Sequence, residues 1–295
     1  MIDISLCPVC GNNTLTQDFS CIDYTVSRGS FQLVTCVNCS FRITSPRPTD
    51  NELQEYYQSD NYISHSRKAV SLVDKIYLIA RKFTLRKKLN LISRLKKDQG
   101  TLLDYGCGTG EFLKTSKAAG WKIFGIEPSK TAREKASQLT DQKILSSIKE
   151  VDERGLDIIT LWHVLEHIPD LNETLKNIAE LLYDNGTIII AVPNYTCFDA
   201  AHYENFWAGY DVPRHLWHFS PESMKKLLAR NSLTITKIIP MKLDSFYVSL
   251  LSEKYKSNGK LGLGRMTKAF FVGLWSNIRG IKTGNYSSLI YIVKK

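Results

Sequence analysis

The alternation of apolar and polar positions changes period along the chain. Between 99 and 239, short strand-like apolar blocks alternate with segments whose apolar residues recur every three or four positions. These blocks predict strands at 101–105, 122–126, 142–145, 157–162 and 186–192, with later strands near 233–239 and 286–293. Helices are expected at 110–119, 129–138, 171–183 and 221–230. Strand and helix in this order define an α/β fold with a doubly wound, seven-stranded Rossmann-like sheet.

Two flanking stretches read differently. From Arg67 to Leu95, apolar residues at Ala69, Val73, Ile76, Ala80, Phe83, Leu85, Leu89 and Ile92 alternate with basic ones, predicting a basic amphipathic helix broken near Thr84. Such a helix packs on a sheet edge or acts as a lid. Over 240–284 a second helical region places Met266, Phe270, Phe271, Leu274, Trp275 and Ile278 on one face bordered by basic residues. That face either packs on the sheet or rests on anionic lipid. Ser45-Pro46-Arg47-Pro48 reads as a linker. The expected division is therefore 1–46, a small module; 47–98, linker and helical lid; and 99–295, the sheet domain, with 193–220 and 240–284 as substrate-facing insertions.

Charge sharpens this division. The formal net charge is +10, yet residues 99–239 carry 15 basic and 18 acidic side chains, against 11 and 5 in 51–98 and 10 and 2 in 240–295. The excess flanks the sheet, where it could attract an anionic substrate or surface. No apolar run is long enough to span a bilayer, and Met1–Ser5 lacks a secretory pattern, so a cytoplasmic location is expected.

The N-terminal module holds Cys7-x-x-Cys10 and Cys36-x-x-Cys39. Two such knuckles close a tetrahedral thiolate site for structural zinc; two disulfides are the alternative. Cys21, Cys107 and Cys197 lack partners at metal spacing and read as space-filling thiols.

The richest chemistry begins at Asp104-x-Gly106-x-Gly108-x-Gly110, between an apolar strand and a helix. Alternate glycines let a backbone approach a ligand closely. A dinucleotide fingerprint would place a third glycine where Glu111 stands, and that carboxylate would repel a pyrophosphate. Glu127, at the end of the next strand, is placed to hold a ribose diol. With Gly125-Ile126-Glu127-Pro128-Ser129, Leu161-Trp162-His163-Val164-Leu165-Glu166-His167 and Gly186 to Asn194, the chain resembles the class I S-adenosylmethionine-dependent methyltransferases over roughly half its length.

That resemblance implies S-adenosylmethionine as cofactor, held by Asp104, Gly106, Cys107, Gly108, Gly110, Glu127, Pro128 and Ser129. Ser146-Ser147-Ile148 would border the adenine, and His163 would be a cofactor neighbour first and a base second. Tyr57, Tyr62 and His65 become candidates to close over the methionine end, and His167 a partner for a carbonyl. The long loop from Pro193 to Trp217 should carry substrate chemistry. Its Asp211 to Glu222 end resembles zinc-bearing sugar methyltransferases, except that Arg214 stands where they place a Glu. His215 is therefore the leading candidate base, with His218, His202 and Tyr195 behind it and Asp211 as orienting carboxylate. Arg214 is a candidate receptor for an acceptor anion. Three functions are expected in order: methylation of a small molecule, a sugar, glycan precursor or lipid-linked anionic acceptor; RNA base methylation; and a silent cofactor-binding scaffold.

Overall fold

The computed structural model describes residues 1–57 and 72–295. Tyr62 and His65, two of the cofactor-closing candidates, lie outside the described residues. Ten strands are described: β1 (Leu15–Ile22), β2 (Ser30–Cys36), β3 (Arg42–Thr44), β4 (Thr101–Tyr105), β5 (Lys122–Ile126), β6 (Leu156–Trp162), β7 (Leu182–Pro193), β8 (Trp217–His218), β9 (Thr234–Pro240) and β10 (Ser288–Lys294). The longer helices are α1 (Leu72–Leu95), α2 (Glu111–Ala118), α3 (Lys130–Thr140), α4 (Leu171–Leu181), α5 (Phe198–Tyr203), α6 (Pro221–Arg230), α7 (Asp244–Lys256) and α8 (Leu263–Thr283).

Among the described residues the Rossmann-like sheet has six strands, in the order β5-β4-β6-β7-β10-β9, where seven were expected. The strand expected at 142–145 contracts to one parallel bridge between Leu145 and Ile126. Its residues Gln142 and Lys143 are exposed, so only Ile144 and Leu145 have an apolar reason to lie against β5. The break expected near Thr84 is also absent: the described part of the basic helix runs unbroken through α1.

The chain forms two compact units. One comprises Asp60–Trp162, Leu175–Ile189 and Val293–Lys295. Here β4 pairs in parallel with both β5 and β6, and Leu102, Leu103, Ile126, Ile158 and Ile159 are buried, as expected of central strands covered on both faces. The other comprises Met1–Ser59, His163–Thr174 and Ile190–Ile292. In it the cysteine-bearing hairpin builds a second sheet, β1-β2-β3-β8, with β3 pairing through Arg42 to His218 and Ile43 to Trp217.

The stretch from Pro193 through Trp217 was expected as a structureless loop and is not one. It folds into α5, two 3-10 turns and β8. Its aromatic residues supply their own core, where Tyr203, Trp207 and Tyr210 pack with Phe31, Leu33 and Cys21. Buried Asp199 ties this core together, accepting from Trp207 Nε1 at 2.8 Å and Ser287 Oγ at 2.7 Å.

Candidate functional site

The first unit carries a glycine-lined cradle. Gly106, Gly108 and Gly110 all have positive φ, at 72°, 56° and 84°, which explains why the pattern demands glycine at each. The amides of Gly106 and Cys107 both donate to the Ile126 carbonyl, at 2.8 and 3.0 Å, fixing the loop over the end of β5. Glu127 then reaches back: its Oε2 accepts from the Gly108 amide at 2.9 Å and its Oε1 from the Ser129 amide at 2.9 Å. Burial pushes the Glu127 carboxyl up, although these two amides oppose the shift.

Asp104 lies beneath the loop. Burial raises its pKa to about 6, even though Thr160 donates a hydrogen bond to it at 2.6 Å. Cys107 is buried and its thiol is pushed well up by burial, in keeping with a space-filling role. Pro128 and Ser129 are exposed, Ser129 capping α3, and Ser147 caps a short turn through the Lys149 amide. Nothing lies within 4 Å of a Cβ added at Gly108, so the loop leaves open space there.

His163 belongs to the second unit, where its φ of 56° is a left-handed conformation uncommon outside glycine. Its Nε2 lies 3.1 Å from Asp244 and its Nδ1 3.3 Å from Glu166. Burial opposes charging this ring, but the bonds to Asp244 and Glu166 outweigh it and raise the pKa to about 10. An imidazolium held by two carboxylates cannot take a proton at neutral pH, so the role of second base falls away. Because the folded pKa exceeds the unfolded value near 6.5, His163 contributes stability that is full below that value and is lost as pH rises through about 10. Thermal melts from pH 7 to 10 should therefore fall more steeply for the wild type than for His163→Gln. Parallel curves would contradict this.

Glu166 is the residue that sequence reasoning passed over. Fully buried, it sits against three histidines, with His215 Nε2 4.0 Å from the same Oε1 that faces His163. Spacing offered a signal, since Glu166 and His167 share one 3-10 turn and His163 stands three residues before Glu166. His167 Nδ1 lies 3.0 Å from the Arg214 carbonyl and 2.9 Å from the Tyr57 hydroxyl, and burial, then His215, depresses its pKa to about 4. Ligand atoms of Glu166, His167 and His215 all lie within 4.8 Å of one another, a spacing that could also hold an ion.

His215 is buried, and its Nδ1 lies 2.9 Å from the Gly209 carbonyl. A carbonyl only accepts, so Nδ1 carries the proton and Nε2 keeps its lone pair. Asp211 was expected to orient this ring, but the Gly209 carbonyl does so. Asp211 instead accepts from Arg214 twice, at 2.6 and 3.0 Å, and stands 4.0 Å from His215 Nε2. Arg214 in turn bonds Asp23 at 3.2 Å and is 2% exposed. Its guanidinium is satisfied by protein carboxylates, which removes it as a receptor for an acceptor anion.

The remaining candidates serve the fold. His218 is buried on β8 with its Nε2 3.0 Å from Thr44 Oγ1, and burial drives its pKa well down. Tyr195 donates to the Ser40 carbonyl and lies under Arg42, whose guanidinium carbon is 4.5 Å from the ring centroid. His202 packs on Phe198 and Tyr203.

Four cysteines of the same unit converge. Sγ atoms of Cys7, Cys10, Cys36 and Cys39 lie within 4.8 Å of one another, with Cys7 to Cys39 at 3.5 Å and Cys10 to Cys36 at 3.6 Å. Four sulfurs at that spacing fit a tetrahedral thiolate centre and are too far apart for disulfides.

A Rossmann-like sheet with this cradle at the carboxyl end of its strands defines a methyltransferase domain. Residues 77–238 match the family described as "Methyltransferase domain", and the chain belongs to that family of S-adenosylmethionine-dependent enzymes. Among curated relatives it is similar to the ubiquinone biosynthesis O-methyltransferase of Bradyrhizobium diazoefficiens, 28% identical over 153 residues. That match covers 46% of this chain and 59% of the relative, so the chain spans little more than half of it. The Pelagibacter ubique protein of the same name is 26% identical over 182 residues, covering 57% of this chain and 73% of that one. In fold, the chain resembles magnesium protoporphyrin IX methyltransferase from Synechocystis with bound SAH, with TM-score 0.54 and 13% identity over 84% of this chain and all of that one. A cyclopropane synthase from Mycobacterium tuberculosis follows, with TM-score 0.52 and 15% identity over 85% of this chain and all of that one.

Proposed function

We propose that the chain transfers a methyl group from S-adenosylmethionine to a hydroxyl of a small, lipid-linked or anionic acceptor. The observation that carries this reading is the cradle: three left-handed glycines and Glu127 bonded to the Gly108 amide, shaped for a nucleoside rather than a pyrophosphate. In this role Gly106, Gly108, Gly110 and Glu127 hold the cofactor, Asp104 and Cys107 back the loop from beneath, and Pro128, Ser129 and Ser147 border it. The curated relatives' names favour oxygen methylation of a quinone-like acceptor over a sugar. Incubation with S-adenosylmethionine and separate pools of polyprenyl catechols, nucleotide sugars and RNA decides by mass spectrometry: a methylated catechol supports the reading, and methylation of RNA alone overturns it.

His215 is the base in this proposal. Its Nε2 lone pair is held by the Gly209 bond, and Glu166 and Asp211, each 4.0 Å away, stabilise the imidazolium that forms. His215→Gln should lower kcat by about 10²–10⁴-fold and leave S-adenosylhomocysteine affinity unchanged. Full turnover would remove His215 from the reaction.

The cysteine centre is proposed to hold one structural Zn²⁺. Four thiolates leave no open position, so the ion would brace the β1–β2 hairpin and take no part in methyl transfer. Elemental analysis should find one zinc per chain, lost together with thermal stability in Cys36→Ser. Protein purified without metal yet equally stable would refute the assignment.

A further inference from the structure

Helix α8 is inverted relative to an ordinary surface helix. Its buried positions are Ala269, Gly273, Ser276 and Gly280, with Val272 the one larger residue among them, whereas Leu263, Phe270, Phe271, Trp275, Ile278 and Ile281 face outward. Exposure reaches 82% at Leu263, 59% at Phe271, 48% at Trp275 and 70% at Ile281. The inward face is small for a reason. A Cβ added at Gly273 would stand 3.0 Å from the Phe246 backbone, so α7 and α8 approach too closely for larger residues. The bulky residues must then project away from the fold, along a helix of 21 residues. A contiguous apolar strip of that length exceeds what a surface normally leaves in water.

Charge identifies what covers it. Within α8 stand Arg265, Lys268, Arg279 and Lys282 and no acidic residue. Arg265 and Lys268 each pair with Glu253 at 3.0 Å, which leaves Arg279 and Lys282, with Lys260 just before the helix, to flank the strip. A second copy docking face to face would set these cations against themselves. An anionic lipid surface would neutralise them while taking up the aromatic and aliphatic side chains. Among the described residues no helix is long and apolar enough to cross a membrane, so the fit is to the interface and not to a span.

We propose that the outward face of α8 docks the protein on anionic bilayers, with Phe271 and Trp275 entering the interface and Arg279 and Lys282 at the headgroups. The inference stands apart from the acceptor's identity, because docking needs neither acceptor nor turnover. It also gives a lipid-linked acceptor a reason to meet this enzyme.

Tryptophan fluorescence reads the contact directly. Trp121, Trp162, Trp207 and Trp217 are buried, so Trp275 alone of the five sits in water. Titration of the full chain with equimolar phosphatidylcholine–phosphatidylglycerol vesicles should shift its emission to the blue, with affinity at least about tenfold above that for pure phosphatidylcholine and falling with salt. In flotation, Phe271→Glu with Ile281→Glu should abolish recovery with vesicles while S-adenosylhomocysteine binding persists. The proposal is overturned by equal affinity for both vesicle types, by unchanged flotation of the double variant, or by a blue shift that follows protein concentration without lipid, the sign of self-association.

Discussion

Replacing Arg214 with leucine is expected to destabilise the protein by roughly 3–5 kcal/mol, the range seen when one partner of a buried ion pair is removed. Arg214 is among the largest fully buried side chains of the described residues, and it answers two carboxylates from distant parts of the sequence, Asp211 and Asp23. Burial alone would raise the Asp211 carboxyl, but Arg214 outweighs it and holds the group below its ordinary range. Asp23 has further support from the Thr25, Val26 and Ser27 amides; Asp211 would lose its main partner. A drop in Tm on the order of 10 °C should follow. Arg214→Lys should recover part of it, since an ammonium keeps the charge but not the two-pronged geometry. A leucine variant that melts within about 1 °C of wild type would show that the ion pairs contribute nothing net.

The second large effect separates two glycines of one loop. Gly108→Val and Gly110→Val both force a branched side chain into left-handed backbone, a strain on the order of 1–3 kcal/mol. At Gly110 the new Cβ would also stand 3.0 Å from the Cα and Cβ of Ala136 in α3, so this variant should lose stability. At Gly108 an added Cβ meets nothing within 4 Å, so in the proposed function the valine enters the space assigned to the cofactor. S-adenosylhomocysteine affinity should fall at least about 100-fold for Gly108→Val, with the smaller loss in Tm of the two. Equal binding by Gly108→Val and wild type would mean that the open space is not the ligand's.

What was legible in the sequence follows from how locally each feature is determined. The glycines could be read because a backbone conformation forbidden to other residues leaves a one-letter trace, and all three indeed have positive φ. The cysteines could be read because ligand spacing is local within each knuckle. Arg214 misled because its neighbours in sequence suggested a substrate loop, while its partner Asp23 lies in the N-terminal stretch. His218 misled for the same reason: its strand exists only through pairing with β3, a contact that no local pattern encodes. The seventh strand failed where two polar residues left the segment 142–145 too little apolar surface. Aromatic richness in 193–220 was rightly noticed, but aromatic side chains can make a core as readily as a substrate wall.

Isothermal titration of the full chain with S-adenosylhomocysteine, run beside NADH, tests the cofactor reading most directly. One nucleoside sulfide should bind per chain, fail to bind when Glu127 is replaced by leucine, and go undisplaced by the dinucleotide. Heat from NADH with none from S-adenosylhomocysteine would contradict it.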